Sequence, residues 1–302
     1  MSILGNYIRR KIDPLIKRMV TLEQKVITLE SQKTSETPSD YEGIKFINLD
    51  YPTSSHNYPR WPVNSPHKQL EGIFIKNEER FLEYIVKLGK YRDNLLKVIS
   101  YDFFKNGFFG SLDAVMLYFI ISDFKPRKYI EVGSGFSTRF ARQAIIDSQV
   151  ECKLISIDPQ PRSDINELCD KVIRESCESV DLAIFDQLDS GDILFIDNSH
   201  RSFMNSDVTI FFTEILPRLK QGVFVHLHDI ALPYDYPAHW RLRFYNEQYL
   251  LASILLNSKE MNFDIIFPCS FVSHSEKCKA LLDKIIPELN IGGGVSFWIM
   301  KS

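Results

Sequence analysis

The 302-residue sequence predicts an α/β protein built on a doubly wound, mostly parallel sheet. Three observations carry that prediction. From Pro126 onward, short apolar runs of strand type alternate with helical patterns, as parallel βαβ units require. The first such run, Tyr129-Ile130-Glu131-Val132, passes through Gly133-Ser134-Gly135 into a helical stretch from Thr138 to Asp147. The predicted strands after the first end in acids, at Asp158, Asp197 and Asp229.

The elements follow in order. Asp13-Pro14 reads as an N-cap with proline at the first helical position. Leu15, Met19, Leu22, Val26 and Leu29 then recur at alternating steps of four and three, a heptad stripe. Residues 1–40 are therefore expected to form a coiled-coil or amphipathic helix and a linker, joining copies of the chain into a homo-oligomer. Residues 41–125 open on a Pro- and Tyr-rich loop. They continue with a helix presenting Phe81, Ile85 and Leu88 and a second running from Ser111 through Ile121, together a helical cap. Residues 126–302 form the main domain. Its strands are expected at Lys128–Val132, Lys153–Ile157, Ile193–Ile196 and Val223–Leu227, with Val208–Leu219 helical between the last two. Phe263–Phe267 and Val295–Met300 are two more strands around a helical segment, Ser275–Leu289, and the last is expected to return antiparallel at the sheet edge.

Composition narrows the function classes. A net charge of −3 gives no basis for nucleic-acid binding. The five cysteines form no C-x-x-C pair and read as free thiols of a reducing compartment. With no signal-like start and no run of about 18 apolar residues, the expectation is a cytoplasmic protein without a transmembrane segment.

Open α/β sheets bind ligands outside the carboxyl ends of their strands. The turn at Gly133 and Gly135 lets backbone approach a ligand, and the helix start behind it attracts negative charge. A dinucleotide and S-adenosylmethionine both fit that description. Thr138 stands where a dinucleotide fingerprint has its third glycine. Glu131 suits a cofactor with a cationic amino group, which S-adenosylmethionine has. Asp158 is placed to accept ribose hydroxyls. Asp197 and Asp229, on strands inferred to be adjacent, would repel unless a cation lies between them. His200 follows three residues after Asp197 as a candidate general base. The stretch 232–251 supplies Tyr234, Tyr236, His239, Trp240, Arg241, Arg243, Tyr245, Asn246 and Gln248, suited to a polyhydroxylated acceptor.

The segments IEVGSGFSTRF, LISIDP, DILFIDNSH and GVFVHLHDI, with Asn106-Gly107-Phe108 and Ser111-Leu112-Asp113-Ala114 before them, resemble class I S-adenosylmethionine-dependent methyltransferases. Within that class they resemble the metal-dependent macrocin and mycinamicin sugar O-methyltransferases. The resemblance implies a Rossmann-like sheet of seven strands with an antiparallel last strand. It implies that Glu131, Gly133, Ser134, Gly135, Ser137 and Asp158 hold S-adenosylmethionine. It implies that Asp197, His228 and Asp229 stand at a divalent metal site, of Mg2+ type, and that His200 takes the proton of a hydroxyl on a sugar or glycan-like small-molecule acceptor. His228 departs from the sugar enzymes, which carry an acid there, and imidazole is a poor partner for Mg2+. The alternatives are an NAD-dependent oxidoreductase and a non-catalytic oligomerisation protein.

Overall fold

A computed structural model describes residues 59–161, 164–257, 263–289 and 293–302. The expected heptad helix and its oligomerisation role lie outside the described residues. Among the described residues, four α-helices precede the sheet: α1 (Lys68–Lys76), α2 (Glu78–Leu88), α3 (Arg92–Ser100) and α4 (Ser111–Phe124). The sheet comprises β1 (Lys128–Val132), β2 (Lys153–Ile157), β3 (Lys171–Ile173), β4 (Ile193–Ile196), β5 (Phe224–Leu227), β6 (Phe263–Pro268) and β7 (Phe297–Lys301). Between them lie α5 (Phe136–Asp147), α6 (Asp207–Ile210, continued by a π turn at Phe211–Ile215 and a last turn at Leu216–Arg218), α7 (Glu247–Asn257), α8 (Cys269–His274) and α9 (Glu276–Ile285).

Strand order is β3-β2-β1-β4-β5-β7-β6. β1 to β5 pair in parallel, and β7 pairs antiparallel with both β5 and β6. This is the Rossmann-like, doubly wound fold expected, with two differences. β7 is antiparallel but lies inside the sheet, and β6 forms the edge. The three-residue β3 has no apolar run: its lysine is exposed and its last two residues are half-buried, so nothing in the local pattern marks it.

β4 and β5 are buried along their whole length and β1 in all but its first residue, because helices cover both faces of a parallel sheet. Helix α4 is apolar all round and buried from Leu112 to Ser122, a core helix rather than a surface one. Gly110, not Ser111, is its N-cap residue, and it runs one turn past Ile121 to a left-handed Lys125. Phe124 of α4 packs on Phe224 of β5 at 4.6 Å. Phe74 of α1 meets Phe297 of β7, and Phe81 of α2 meets Phe267 of β6. The helices of the 41–125 zone thus share one core with the sheet. None of the described helices is long and apolar enough to cross a membrane.

At the amino end of the sheet, Asp192 is buried and its carboxylate accepts from the backbone N–H of Arg127, Lys128 and Asp189, at 2.9–3.0 Å. It fixes where β1 and β4 begin. Asp192→Ala leaves three inward donors unmet, and an unmet buried donor costs about 1–3 kcal/mol. Urea unfolding is expected to register a loss of about 2–4 kcal/mol, with the partly exposed N–H groups recovering some water.

Candidate active site

Inter-strand hydrogen bonds run one residue past the strands and set the site in a row. Asp158 N–H donates to Ile173, Gly133 N–H to Ile157, Asp197 N–H to Val132 and His228 N–H to Ile196, all at 2.9–3.1 Å. The carboxyl ends of β2, β1, β4 and β5 therefore share one rim. The order in which successive strands are laid down reverses between β1 and β4, the place where ligands of such sheets bind.

The glycine turn is built by contact with that rim. Gly133 has φ +80°, and a Cβ on it would lie 2.0 Å from the carbonyl oxygen of Asp197. Only glycine allows β1 and β4 to close there. At Gly135 a Cβ would meet nothing within 4 Å, so the turn faces open space on its ligand side. Asp158 is tied to this turn: its Oδ2 accepts from the N–H and hydroxyl of Ser134 at 2.8 and 2.9 Å, and its Oδ1 from Gln160 N–H. Thr138 links turn to strand. Its Oγ1 accepts from Gly135 N–H at 3.0 Å and donates to Glu131 Oε1 at 2.6 Å. Glu131 is wholly buried, and its second oxygen, Oε2, has no partner among the described residues. Burial drives its pKa up to about 8, Thr138 opposing and Asp158 and Asp197 adding to the rise. Ser137 is buried in the first turn of α5.

His200 occupies the crevice between β4 and β5. Its Nε2 lies 3.3 Å from Asp197 Oδ1 and 3.4 Å from Asp229 Oδ2, and its Nδ1 lies 2.9 Å from Glu247 Oε2. Both His200 and Asp229 have positive φ, +58° and +56°. Non-glycine residues adopt that conformation at a cost, which their surroundings must impose. Here Asn198 Oδ1 accepts from His200 N–H, the His200 carbonyl accepts from Asn246 N–H, and Asp207 accepts from both the N–H and the hydroxyl of Ser199.

Three acceptor atoms converging on one point require a positive charge there, either a proton on Nε2 or a metal ion. Desolvation would lower the pKa of His200, but hydrogen bonds to Asp197 and Glu247 carry it well above its ordinary value. Desolvation would raise Asp197, yet His228 and His200 hold it well below the usual carboxylate range. Burial raises both Asp229 and Glu247. Asp197, His200 and Asp229 each offer a ligand atom within 4.8 Å of the others. That donor set fits a divalent ion, and a ligating imidazole usually donates its other N–H to a carboxylate, as Nδ1 of His200 is placed to do toward Glu247.

His228 lies outside that trio. It is buried against Phe109, ring centroids 5.0 Å apart, with Nδ1 3.4 Å from Asp197 Oδ1 and Nε2 3.6 Å from Asp113 Oδ2. Burial opposes its protonation, while Asp197 and Asp229 carry its pKa well above normal. Asp113 reaches in from α4, accepting also from Val295 and Ser296 N–H.

Sequence reasoning passed over Glu247 and Asp207, because an acid opening a helix reads as a favourable first-turn charge and nothing more, and it read Thr138 only as the absence of a third glycine. Of the residues expected to meet an acceptor, Asn246 and Gln248 spend their side-chain carbonyls on Ser202 and Ala231 N–H, and Tyr234 and Tyr236 are buried. Trp240, Arg241, Arg243 and Tyr245 remain accessible. Gly133→Ala is expected to destabilise the protein by at least about 2 kcal/mol in urea, since the added methyl strikes backbone at an unfavourable φ.

Residues 130–230 match a family model described as "Methyltransferase domain". A protein of Archaeoglobus fulgidus described only as uncharacterized is 28% identical over 142 residues, which are 40% of this chain and 60% of that one. The matched region thus falls short of two thirds of the relative's length. Among solved structures, the SAH-bound Podospora anserina methyltransferase PaMTH1 is 14% identical with a TM-score of 0.40, covering 72% of this chain and 88% of that one. The plantazolicin methyltransferase BpumL with a pentazolic desmethylPZN analog and SAH is 16% identical with a TM-score of 0.39, covering 74% and 99%. CmcI with Mg and SAM is 17% identical with a TM-score of 0.34, covering 62% and 71%. At such TM-scores these likenesses bear no weight for chemistry. Residues 130–230 thus match a methyltransferase-domain model and lie within a Rossmann-like sheet.

Proposed function

We propose that the protein transfers a methyl group from S-adenosylmethionine to a hydroxyl oxygen of a sugar or glycan-like acceptor, with His200 as general base. The observation that carries this reading is the buried His200, braced by Glu247 on one ring nitrogen and turned by the other toward Asp197 and Asp229. Such bracing selects the tautomer with the proton on Nδ1 and aims Nε2.

When bound, S-adenosylmethionine supplies an electrophilic methyl carbon on a sulfonium. Glu131 Oε2 is free for its ammonium group, the Gly133–Gly135 turn and the start of α5 for its carboxylate, and Asp158 for its ribose. Asp197 and Asp229 would hold a divalent ion, which would lower the pKa of a coordinated hydroxyl. With His200 kept as the base, the side-chain ligands left to the ion are carboxylate oxygens, a set of the Mg2+ type. Positive charge brought among these carboxylates lowers the pKa of His200 and leaves Nε2 able to take the acceptor proton. His228 and Asp113 hold Asp197 from behind.

Calorimetry separates this reading from the oxidoreductase: S-adenosylhomocysteine is expected to bind and NAD is not. Turnover is expected to fall by about 10²-fold or more in His200→Ala, the scale of a lost general base. For Glu247→Ala, which removes a support and not the base, the loss is about 10-fold or more. Unchanged turnover in His200→Ala would remove it from the mechanism.

Glu131 adds a pH signature. Its folded-state pKa of about 8 exceeds the unfolded value of 4.5, so the folded state holds the extra proton across that window. Stability of the free protein therefore declines as pH rises through it. Pairing with an ammonium group reverses the preference. At about pH 7, S-adenosylhomocysteine binding is expected to release close to one proton, read from calorimetric enthalpies in buffers of different ionisation heat. The release should vanish above about pH 9 and in Glu131→Gln.

A further inference from the structure

The two loops beside His200 carry features the chemistry above does not use. The loop 201–205 and the segment 238–245 are laced together: Arg201 Nε donates to the Arg243 carbonyl at 2.7 Å, and Ser202 N–H donates to Asn246 Oδ1. The Tyr245 ring lies 4.5 Å from that of His200. Over Tyr245 stand two guanidiniums, Arg201 at 5.4 Å and Arg243 at 5.6 Å, and Arg243 also lies 4.4 Å over Trp240. Among the described residues, no carboxylate pairs with Arg201, Arg241 or Arg243, although five of the eight other described arginines have acidic partners. A guanidinium stacked by its face keeps its edge donors free, the arrangement that grips phosphate or carboxylate.

Apolar side chains flank this stack. Met204 is 98% exposed, Leu242 71%, Phe203 46% and Phe244 42%. Phe244 has φ +54°, a conformation a bulky residue holds only under constraint. Exposed apolar residues scattered singly need no explanation, but four in two interlocked loops around unpaired arginines do.

We propose that this stack and its apolar margin form a subsite for an anionic amphiphile, a phosphate joined to a hydrocarbon chain, as the part of the acceptor distal to its reacting hydroxyl. The phosphate would lie against the edge of Arg243 and the remaining Nη2 of Arg201, whose Nε and Nη1 are spent on the carbonyls of Arg243 and Ser199, and the chain along Leu242, Phe244, Phe203 and Met204. Only Tyr245 separates the guanidiniums from His200, which makes the subsite continuous with the acceptor end of the crevice. The inference rests on the reading of His200 as the acceptor end; its test does not require turnover.

Farnesyl phosphate, kept below its critical micelle concentration, is the probe. Titration calorimetry is expected to show binding to the full chain, with farnesol and inorganic phosphate each weaker by about tenfold or more. Arg243→Ala is expected to weaken farnesyl phosphate by about tenfold, and the double variant Met204→Ser, Leu242→Ser by a similar factor. These side chains are exposed, and unchanged affinity for S-adenosylhomocysteine certifies that each variant is folded. No binding of farnesyl phosphate, or equal binding to wild type and both variants, would overturn the proposal. So would capture by phosphatidylglycerol vesicles without affinity for monomeric farnesyl phosphate, which would make the surface a membrane contact. Farnesyl phosphate bound with S-adenosylhomocysteine refused would leave the subsite standing and overturn the methyltransferase reading.

Discussion

One electrostatic constraint organises the site. Carboxylates on adjacent strand ends, Asp197 and Asp229, flank one imidazole nitrogen, and the other nitrogen of that ring faces a third, buried carboxylate, Glu247. Such a cluster is stable only with positive charge inside it. Behind it the pattern repeats, with His228 between Asp197 and Asp113. Acids and imidazoles alternate from the core helix α4 to the opening of α7. The left-handed conformations of His200 and Asp229 show that backbone strain is accepted to hold this order.

The cofactor side obeys a different economy. Thr138 satisfies one oxygen of Glu131 together with the Gly135 N–H, and Ser134 donates to Asp158, while Glu131 Oε2 has no partner among the described residues. Burial of this half-satisfied carboxyl is what raises its pKa to about 8. Gly133 is fixed by a backbone collision, whereas a Cβ at Gly135, two positions on, would meet nothing within 4 Å.

Much of this was legible in the sequence. The strand ends at Val132, Ile157, Ile196 and Leu227 are where apolar runs stop, and the acids that follow them do fall on one rim. Asp197 and Asp229 could be called neighbours because consecutive parallel strands tend to pair. What escaped notice had no local mark. β3 is too short and too exposed to show a pattern. β7 is apolar wherever it pairs, so its place between β5 and β6 is set by packing alone. Glu247 and Asp113 look like ordinary first-turn acids until tertiary contact buries them. Asn246 and Gln248 have side chains suited to a ligand, and the fold uses them on its own backbone.

Asp113 carries a consequence for where the working unit begins and ends. It sits on α4, before the first strand, and clamps the backbone at Val295 and Ser296 just ahead of β7 while facing His228. The stretch from 130 to 230 that matches the methyltransferase-domain model contains His228 but neither Asp113 nor the backbone it clamps. Shuffled into another protein, that stretch would keep Asp197 and Asp229 on one side of His228 and lose the carboxylate facing its other ring nitrogen. The heritable module here is discontinuous, a central span bracketed by a helix and a strand that must travel with it.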